Sequence, residues 1–191
     1  MGKVAWGFSC SLDGFIAGPG HDMSWLSAAE PLVDGTTEAM AAQVAVIISG
    51  RRGYDAAKSQ AEIRDEMTAE AYGGAWSGTE FVLTHRPEEL ADDPSVIPLD
   101  CSIAEAVERA QAIAGERDIQ IISADIARQA LEADLIDELQ YFSVPVFLGD
   151  GVRIFDVPGG RRLDWELVDI DEANPRSFGR TYRPKGRAAY R

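Results

Sequence analysis

The amino-acid sequence predicts an α/β fold, in which helices cover both faces of a mostly parallel central sheet. Short apolar segments of strand length alternate with helix-length segments as far as Ala133. From Asp137 onward the pattern changes to strands alone. Alternating segments build parallel strands joined by crossover helices, whereas consecutive strands pair antiparallel. We therefore expect antiparallel C-terminal strands along one edge of a parallel sheet.

The N-terminal half opens with a strand at 3–10, where side chains alternate in size. Ser-Leu-Asp-Gly (11–14) and Gly18-Pro19-Gly20 then predict turns. The other elements predicted in this half are helices at 36–43 and from residue 51, a charged surface helix at 61–72, and strands at 44–49, 81–83 and 96–97.

The C-terminal half contains a capping box, Ser102 with Glu105, which is typical of a helix start. The helix that follows is expected to bury one face at the 3.6-residue period, formed by Ile103, Ala106, Val107, Ala110 and Ile113. Further predicted elements are a strand at 119–122, a helix at 126–133, and strands at 139–148, 165–170 and 178–183. We expect one domain over residues 1–191, with 184–191 as a basic tail.

Composition and charge narrow the classes of function. The formal net charge is −14, from 32 acidic and 18 basic side chains, and such a surface repels a phosphate backbone. We expect no nucleic-acid partner, and no membrane association because the longest apolar run is far shorter than a span. No signal peptide is recognisable, so a cytoplasmic location is expected. Cys10 and Cys101 have no metal-ligand spacing, and no metal site is predicted.

Three predicted strand-to-helix junctions carry most of the functional information, because ligands bind where parallel strands end. The first junction presents Gly50, Arg51 and Arg52 at a helix start, where free amides and guanidinium groups favour phosphate. The second presents Thr84, His85 and Arg86, and the third Ser123, Ala124 and Asp125. No Gly-x-Gly-x-x-Gly or Walker loop is present. The junctions together predict a phosphorylated cofactor.

Several motifs carry a resemblance to a known family. They are Ser-Leu-Asp-Gly-Phe-Ile-Ala (11–17), Met-Ser-Trp-Leu (23–26), Ser-Gly-Arg-Arg-Gly-Tyr (49–54) and Val-Leu-Thr (82–84). In order and spacing they resemble dihydrofolate-reductase-like proteins. Residues 133–155, which include Val-Pro-Val-Phe-Leu-Gly-Asp-Gly, resemble the reductase domain of riboflavin-biosynthesis enzymes. The resemblance implies a three-layer dihydrofolate-reductase-like fold and an NADPH-dependent reductase of a pterin or ribosylaminopyrimidine-like substrate.

The resemblance also assigns residues to roles. It implies that the loop around Leu12, Asp13 and Gly14 closes over the nicotinamide, with Asp13 facing the pocket. The residues implied at the cofactor phosphates are Gly50, Arg51 and Arg52, and those implied at the adenosine 2′-phosphate are Thr84, His85 and Arg86. Glu30, five residues after Trp25, occupies the position of the substrate-binding carboxylate, and Trp25 is also expected to bind the substrate. A buried carboxylate there could bind an amino-pyrimidine edge and help to deliver a proton.

Simpler interpretations stay open for both acids. Asp13 precedes a glycine in a common turn pair, and Glu30 precedes Pro31 at what could be a surface turn. The chain also departs from the family pattern. Gly53 stands where dihydrofolate reductases have Thr, and Ser123-Ala124 stands where the family has Gly-Gly, followed by the negative charge of Asp125.

Three hypotheses of function follow. The first is the NADPH-dependent reductase described above, with Asp13 and Glu30 as catalytic residues. The second keeps the fold but acts on an unrelated specialised metabolite. The third is a non-catalytic member that binds a nucleotide or pterin. The deaminase chemistry of riboflavin enzymes is excluded, because His-x-Glu and Pro-Cys-x-x-Cys are both missing. By analogy with riboflavin-type reductase domains, we predict a homodimer through strand 139–148.

Overall fold

An eight-stranded sheet forms the centre of the molecule. The computed structural model describes residues 2–29, 32–63, 70–171 and 179–186. In chain order, its elements are β1 (Val4–Ser11), β2 (Phe15–Ala17), α1 (Thr36–Gln43), β3 (Val44–Gly50), α2 (Arg51–Ile63), β4 (Thr79–Leu83), β5 (Ile97–Leu99), α3 (Ile103–Ala114), β6 (Asp118–Ile121), α4 (Ala124–Glu132), β7 (Glu138–Val144), β8 (Val152–Arg153), β9 (Trp165–Ile170) and β10 (Gly179–Pro184).

The strand order is β5-β4-β3-β6-β1-β7-β10-β9. The first six strands in this order, from β5 to β7, are all parallel to their neighbours. Strand β10 is antiparallel to both β7 and β9. Strands β2 and β8 form a separate antiparallel pair. The predicted fold class, a mostly parallel sheet with antiparallel C-terminal strands at one edge, is therefore confirmed.

Helices cover both faces of the sheet. On β4, Phe81 and Leu83 pack in the main core with residues of α3 and α4. Val82, which points to the opposite face, packs instead with Tyr54 of α2. Every residue of β3 is buried, as expected for a central strand that is covered on both sides.

Two element predictions were wrong in ways that have a physical cause. In α3, Ile113 is 54% exposed, and Ala114 takes its place on the buried face. Eleven residues make just over three helical turns, so Ala114 falls almost directly above Ile103, whereas Ile113 does not. Strand β7 ends at Val144 rather than at residue 148, because Pro145 has no backbone N–H for the ladder.

The predicted surface helix at 61–72 is correct only at its beginning. Helix α2 ends at Ile63, and Ala71–Gly74 forms a 3-10 turn in which Tyr72 has a φ of 54°. Residues 64–69 lie outside the described part of the chain, as do residues 187–191 of the predicted tail.

A buried carboxylate ties the two ends of the described chain to the sheet. Glu138, at the start of β7, is 3% exposed. Its Oε2 accepts a hydrogen bond from Lys3 Nζ at 2.9 Å, and its Oε1 accepts one from Arg183 Nη2 at 2.9 Å. Two charge-assisted hydrogen bonds compensate for removing this carboxylate from water.

Candidate active site

The three predicted ligand-binding junctions lie at the same edge of the sheet. Strands β4, β3 and β6 are neighbours and run in parallel, so the residues that follow them emerge together. These are Thr84 after β4, Gly50 at the end of β3, and Ser123 after β6. Strand β1, next to β6, brings the loop with Asp13 to this carboxyl edge as well.

Two helix N-termini converge at Gly50. A Cβ atom placed on Gly50 would lie 3.1 Å from Ser123 Oγ and 3.1 Å from Ile126 Cγ1. Helix α2 begins directly after Gly50, and α4 begins directly after Ser123. The Ser123 hydroxyl does not cap its own helix, and its backbone is extended, with φ −119° and ψ 134°. Free amides of both helices therefore face one small region, which favours an anion.

The basic residues at this edge are paired with acidic partners that the sequence did not reveal. Arg51 Nε lies 2.8 Å from Asp55 Oδ1, and Arg51 Nη1 lies 3.0 Å from Glu89 Oε2. The hydrogen bond to Asp55 raises the pKa of the Arg51 guanidinium. Arg86 Nη1 donates to the same Glu89 at 2.7 Å. His85 and Arg86 are 100% and 66% exposed at their side chains, and His85 Nδ1 lies 3.1 Å from Asp100 Oδ1. A bound phosphate would have to compete with these carboxylates.

The negative charge of Asp125 is largely compensated within its own helix. Asp125 Oδ1 accepts a hydrogen bond from Arg128 Nη2 at 2.9 Å, and Oδ2 accepts one from Gln129 at 2.9 Å. The bond from Arg128 lowers the pKa of the Asp125 carboxyl. Asp125 therefore interferes less with an anion at this helix start than its charge alone suggests.

Asp13 joins the loop after β1 to the loop after β7. Its Oδ1 accepts a hydrogen bond from Ser11 Oγ at 2.7 Å, and its Oδ2 accepts one from Gly149 N at 2.7 Å. Leu148 N donates to the same carboxylate at 3.1 Å. Led by the bond from Ser11, these donors lower the pKa of Asp13 to about 2. Asp13 is ionised and fully engaged at neutral pH, so it positions a loop and is poorly suited to transfer a proton.

The motif at 11–17 therefore packs directly against the loop that contains Gly149. Gly151 in the second motif has a φ of 134°, and a Cβ there would lie 2.0 Å from the carbonyl oxygen of Ala17. Backbone hydrogen bonds between Leu12 N and Val146 O (2.8 Å) and between Ile154 N and Gly14 O (3.0 Å) complete the contact. Only glycine permits so close an approach of the two backbones at residue 151.

Exposed apolar side chains border this edge at its centre. Leu12, Ile122 and Phe147 follow the neighbouring strands β1, β6 and β7, and they are 52%, 42% and 76% exposed. Exposed apolar side chains at the ends of three adjacent strands can pack against a planar ring. Ile122 and Phe147 were not predicted as site residues, because both fall within the predicted strands at 119–122 and 139–148.

Two predicted substrate residues, Trp25 and Glu30, and one cysteine, Cys10, remain to be placed. Trp25 is 7% exposed, and its indole N–H has no acceptor in the part of the chain that is described. Glu30 lies outside the described residues. Cys10 is buried and its pKa is raised to about 11, mainly by burial, so its thiol is unreactive.

Two further searches covered the described residues only. Across 2–29, 32–63, 70–171 and 179–186, no group of three His, Cys, Asp or Glu side chains is placed to hold a metal ion. Within the same ranges, no helix has the length and apolar character needed to cross a bilayer.

Comparisons with known proteins show the family and the fold of the chain. The sequence profile of the RibD C-terminal domain family matches residues 2–177. A protein from Shewanella sp. PV-4 that has been assigned to riboflavin biosynthesis is 23% identical, has a TM-score of 0.73, and aligns over 96% of this chain and 99% of that one. No curated protein sequence matches the chain.

Two enzymes of known structure share the fold at lower identity. Dihydrofolate reductase from Enterococcus faecalis, complexed with NADP(H), is 15% identical with a TM-score of 0.59, over 96% of each chain. A Thermotoga maritima diaminohydroxyphosphoribosylaminopyrimidine deaminase/5-amino-6-(5-phosphoribosylamino)uracil reductase is 15% identical with a TM-score of 0.61. That alignment covers 96% of this chain but 56% of the deaminase/reductase, so the chain spans about half of it.

Proposed function

Because the chain belongs to the RibD C-terminal domain family, we propose that it is an NADPH-dependent reductase of a small planar heterocycle. The predicted family, the fold and the class of enzyme, a reductase of the dihydrofolate-reductase-like type, are confirmed by this membership. The observation that carries the cofactor proposal is the convergence of two helix N-termini at Gly50 and Ser123, beside an exposed apolar border.

The residues proposed to bind the cofactor are those that follow the neighbouring strands β3, β4 and β6. The amides at the starts of α2 and α4 would hold the pyrophosphate between Gly50 and Ser123-Ala124, with Arg51 and Arg52 supplying positive charge. Thr84, His85 and Arg86, one strand further out, would bind the 2′-phosphate. Asp125 would stand beside the pyrophosphate with its charge offset by Arg128.

For the substrate site, we propose Trp25 and Glu30 and leave out Asp13. The buried Trp25 indole N–H needs an acceptor, and an oxygen of a bound heterocycle would provide one. Glu30 stays the proposed substrate carboxylate and proton donor. Asp13 was predicted to be catalytic, but its three hydrogen-bond donors keep it ionised, so we now assign it the positioning of the Leu12 loop.

The chemistry then divides simply between cofactor and protein. NADPH, when bound, would supply the hydride. Leu12, Ile122 and Phe147 would exclude water from the reacting faces, and Asp13 would hold the Leu12 loop over them. Glu30 would bind the pyrimidine edge of the substrate and donate the proton. The names of the Enterococcus and Thermotoga proteins support a pterin or a ribosylaminopyrimidine as substrate.

Homodimer formation and a cytoplasmic location stay proposals. The predicted dimer contact through 139–148 cannot use strand pairing, because β7 lies between β1 and β10. The outer strand on that side is β9, where Leu167, Val168 and Ile170 are 49%, 39% and 48% exposed. A dimer formed by strand pairing on this side would therefore use β9.

Thermal-shift titration tests the cofactor first. NADPH at one hundred times its Kd would stabilise the native state by about 2.7 kcal/mol, whereas NADH and flavin should give less. Stabilisation by none of the three would contradict the proposal. NADPH oxidation with dihydrofolate or a ribosylaminopyrimidine then tests the substrate class, and Glu30→Gln should reduce turnover strongly. Binding without turnover on either substrate would favour the specialised-metabolite or the non-catalytic alternative.

A further inference from the structure

A cavity of about 340 Å³ lies on the sheet face below α1, away from the proposed cofactor site. It is lined by residues in the first two positions of parallel strands: Ala5 of β1, Val44 of β3 and Asp118 of β6. The proposed cofactor site lies where the same three strands end. The cavity is therefore separate from the carboxyl-edge site, at the other end of the parallel strands.

The main feature of this cavity is a buried side-chain amide, that of Gln120. Gln120 is 6% exposed, and its Oε1 accepts a hydrogen bond from Tyr72 Oη at 2.5 Å. Its Nε2 donates no hydrogen bond to any residue in the described part of the chain. Because Gln120 also lines the cavity, this amide N–H can donate to a molecule that enters it.

A second amide, that of Gln140, lies at the same point on the sheet. A Cβ on Gly7 of β1 would lie 2.2 Å from Gln120 Nε2 and 3.5 Å from Gln140 Oε1. Gly7 thus leaves room for both side chains above β1, where a donor and an acceptor stand near each other. An adjacent N–H and C=O, the edge of a lactam, is the complement of such a pair.

The backbone of Tyr72 supports a binding role for the cavity. Tyr72 has a φ of 54°, a left-handed conformation that is unfavourable for a residue with a bulky side chain. In this conformation its phenol reaches Gln120 and lines the cavity. Burial raises the pKa of Tyr72 to about 12, so the phenol stays protonated and donates to Gln120. The Gln120 carbonyl is thereby occupied, and its N–H groups are left for a ligand.

The charge of the lining selects against anions. Among the described residues that line the cavity, three are aspartates, Asp118, Asp169 and Asp171, and one is an arginine, Arg180; Lys3 Nζ also lies 3.8 Å from Asp118 Oδ2. A phosphate or carboxylate would meet net negative charge there. The volume is at the small end of the range for ligand pockets, which suits one ring.

We propose that this cavity is a second small-molecule site, which binds an uncharged ring through its lactam edge at Gln120 and Gln140. The site is independent of the proposed reductase chemistry. A lactam N–H would donate to Gln140 Oε1, and the lactam carbonyl would accept from Gln120 Nε2.

Calorimetric titration of the full chain with three probes tests the proposal. The probes are 2-pyridone, which has the lactam edge, N-methyl-2-pyridone, which lacks the N–H, and 6-carboxy-2-pyridone, which adds a negative charge. We expect 2-pyridone to bind at least tenfold more tightly than either of the other two. Equal affinities, or no binding of 2-pyridone at millimolar concentration, would overturn the proposal and leave a solvent-filled cavity.

Variants locate the binding. Gln140→Leu, and Gln120→Leu as a second variant, should each lower the affinity for 2-pyridone at least tenfold. The matched control is Gln111→Leu on α3, which packs on the other face of the sheet, and it should leave the affinity unchanged. Gly50→Ala should also leave it unchanged. Loss of 2-pyridone binding in Gly50→Ala, with Gln140→Leu unaffected, would place the probe at the carboxyl edge and refute the second site.

Discussion

Two glycine-to-alanine substitutions, three residues apart, separate cofactor binding from stability. At Gly50, the new Cβ would lie 3.1 Å from Ser123 Oγ and from Ile126 Cγ1, so both side chains must shift by a few tenths of an ångström. Overpacking of this kind costs about 1–3 kcal/mol. At Gly53, inside α2, a new Cβ would meet nothing within 4 Å. Alanine there should stabilise the helix by about 0.4–1 kcal/mol.

These energies convert to measurable melting temperatures. A domain of this size shifts by about 2–4 °C per kcal/mol, so Gly50→Ala should lower Tm by about 2–12 °C. Gly53→Ala should raise Tm by about 1–4 °C. The more informative quantity is the additional stabilisation by NADPH, because the Gly50 methyl would occupy the space between the two helix N-termini.

Differential scanning fluorimetry with and without NADPH measures both effects. At a concentration one hundred times the wild-type Kd, NADPH should add about 2.7 kcal/mol to the wild type and to Gly53→Ala. A tenfold higher Kd in Gly50→Ala would reduce this gain to about 1.4 kcal/mol. A folded Gly50→Ala protein with the full NADPH gain would refute the assignment of the pyrophosphate to this gap.

Three further predictions concern the loops and α3. Asp13→Asn should speed amide hydrogen exchange at Leu148 and Gly149 at neutral pH. In the wild type the Asp13 carboxylate should hold this loop above pH 3.8 and release it only as pH falls through about 2, because its folded pKa is lowered; equal exchange in the two proteins would contradict the role of Asp13. Gly151→Ala should cost more than about 3 kcal/mol, from positive φ and overlap with the Ala17 carbonyl, and urea unfolding should show it. Its control, Gly149→Ala, has positive φ but open space and should cost about 1–2 kcal/mol. Ser102→Ala should lower Tm by about 2–4 °C, because the Ser102 hydroxyl caps Glu105 N at 3.2 Å; an unchanged Tm would show that the cap contributes nothing.

Local signals in the sequence predicted most of the fold. Helix α1 has the predicted bounds, and the Ser102 cap forms as expected. These features depend on residues within one helical turn of each other. The misassigned end of β7 also had a local signal, since Pro145 stands where the ladder stops.

The site was predictable in position but not in its interactions. Parallel strand order alone brings Gly50, Thr84 and Ser123 to one edge, and the sequence pattern indicates that order. The partners of the site residues are different. Asp13 binds Gly149, 136 residues away, and Tyr72 binds Gln120, 48 residues away. Such pairs are set by packing between distant segments, which periodicity and spacing do not report.

The position of β1 in the sheet has a consequence for how the protein folds during synthesis. Strand β1 is made before both of its partners, and it pairs on one side with β6, at residues 118–121, and on the other with β7, at residues 138–144. Its backbone groups therefore stay unpaired until the residues of β6 and β7 have been made. Such long-range pairing slows folding and leaves an apolar strand exposed in the meantime. We expect nascent chains that end before β6 to depend on chaperones, and chains that extend past β7 to be released from them.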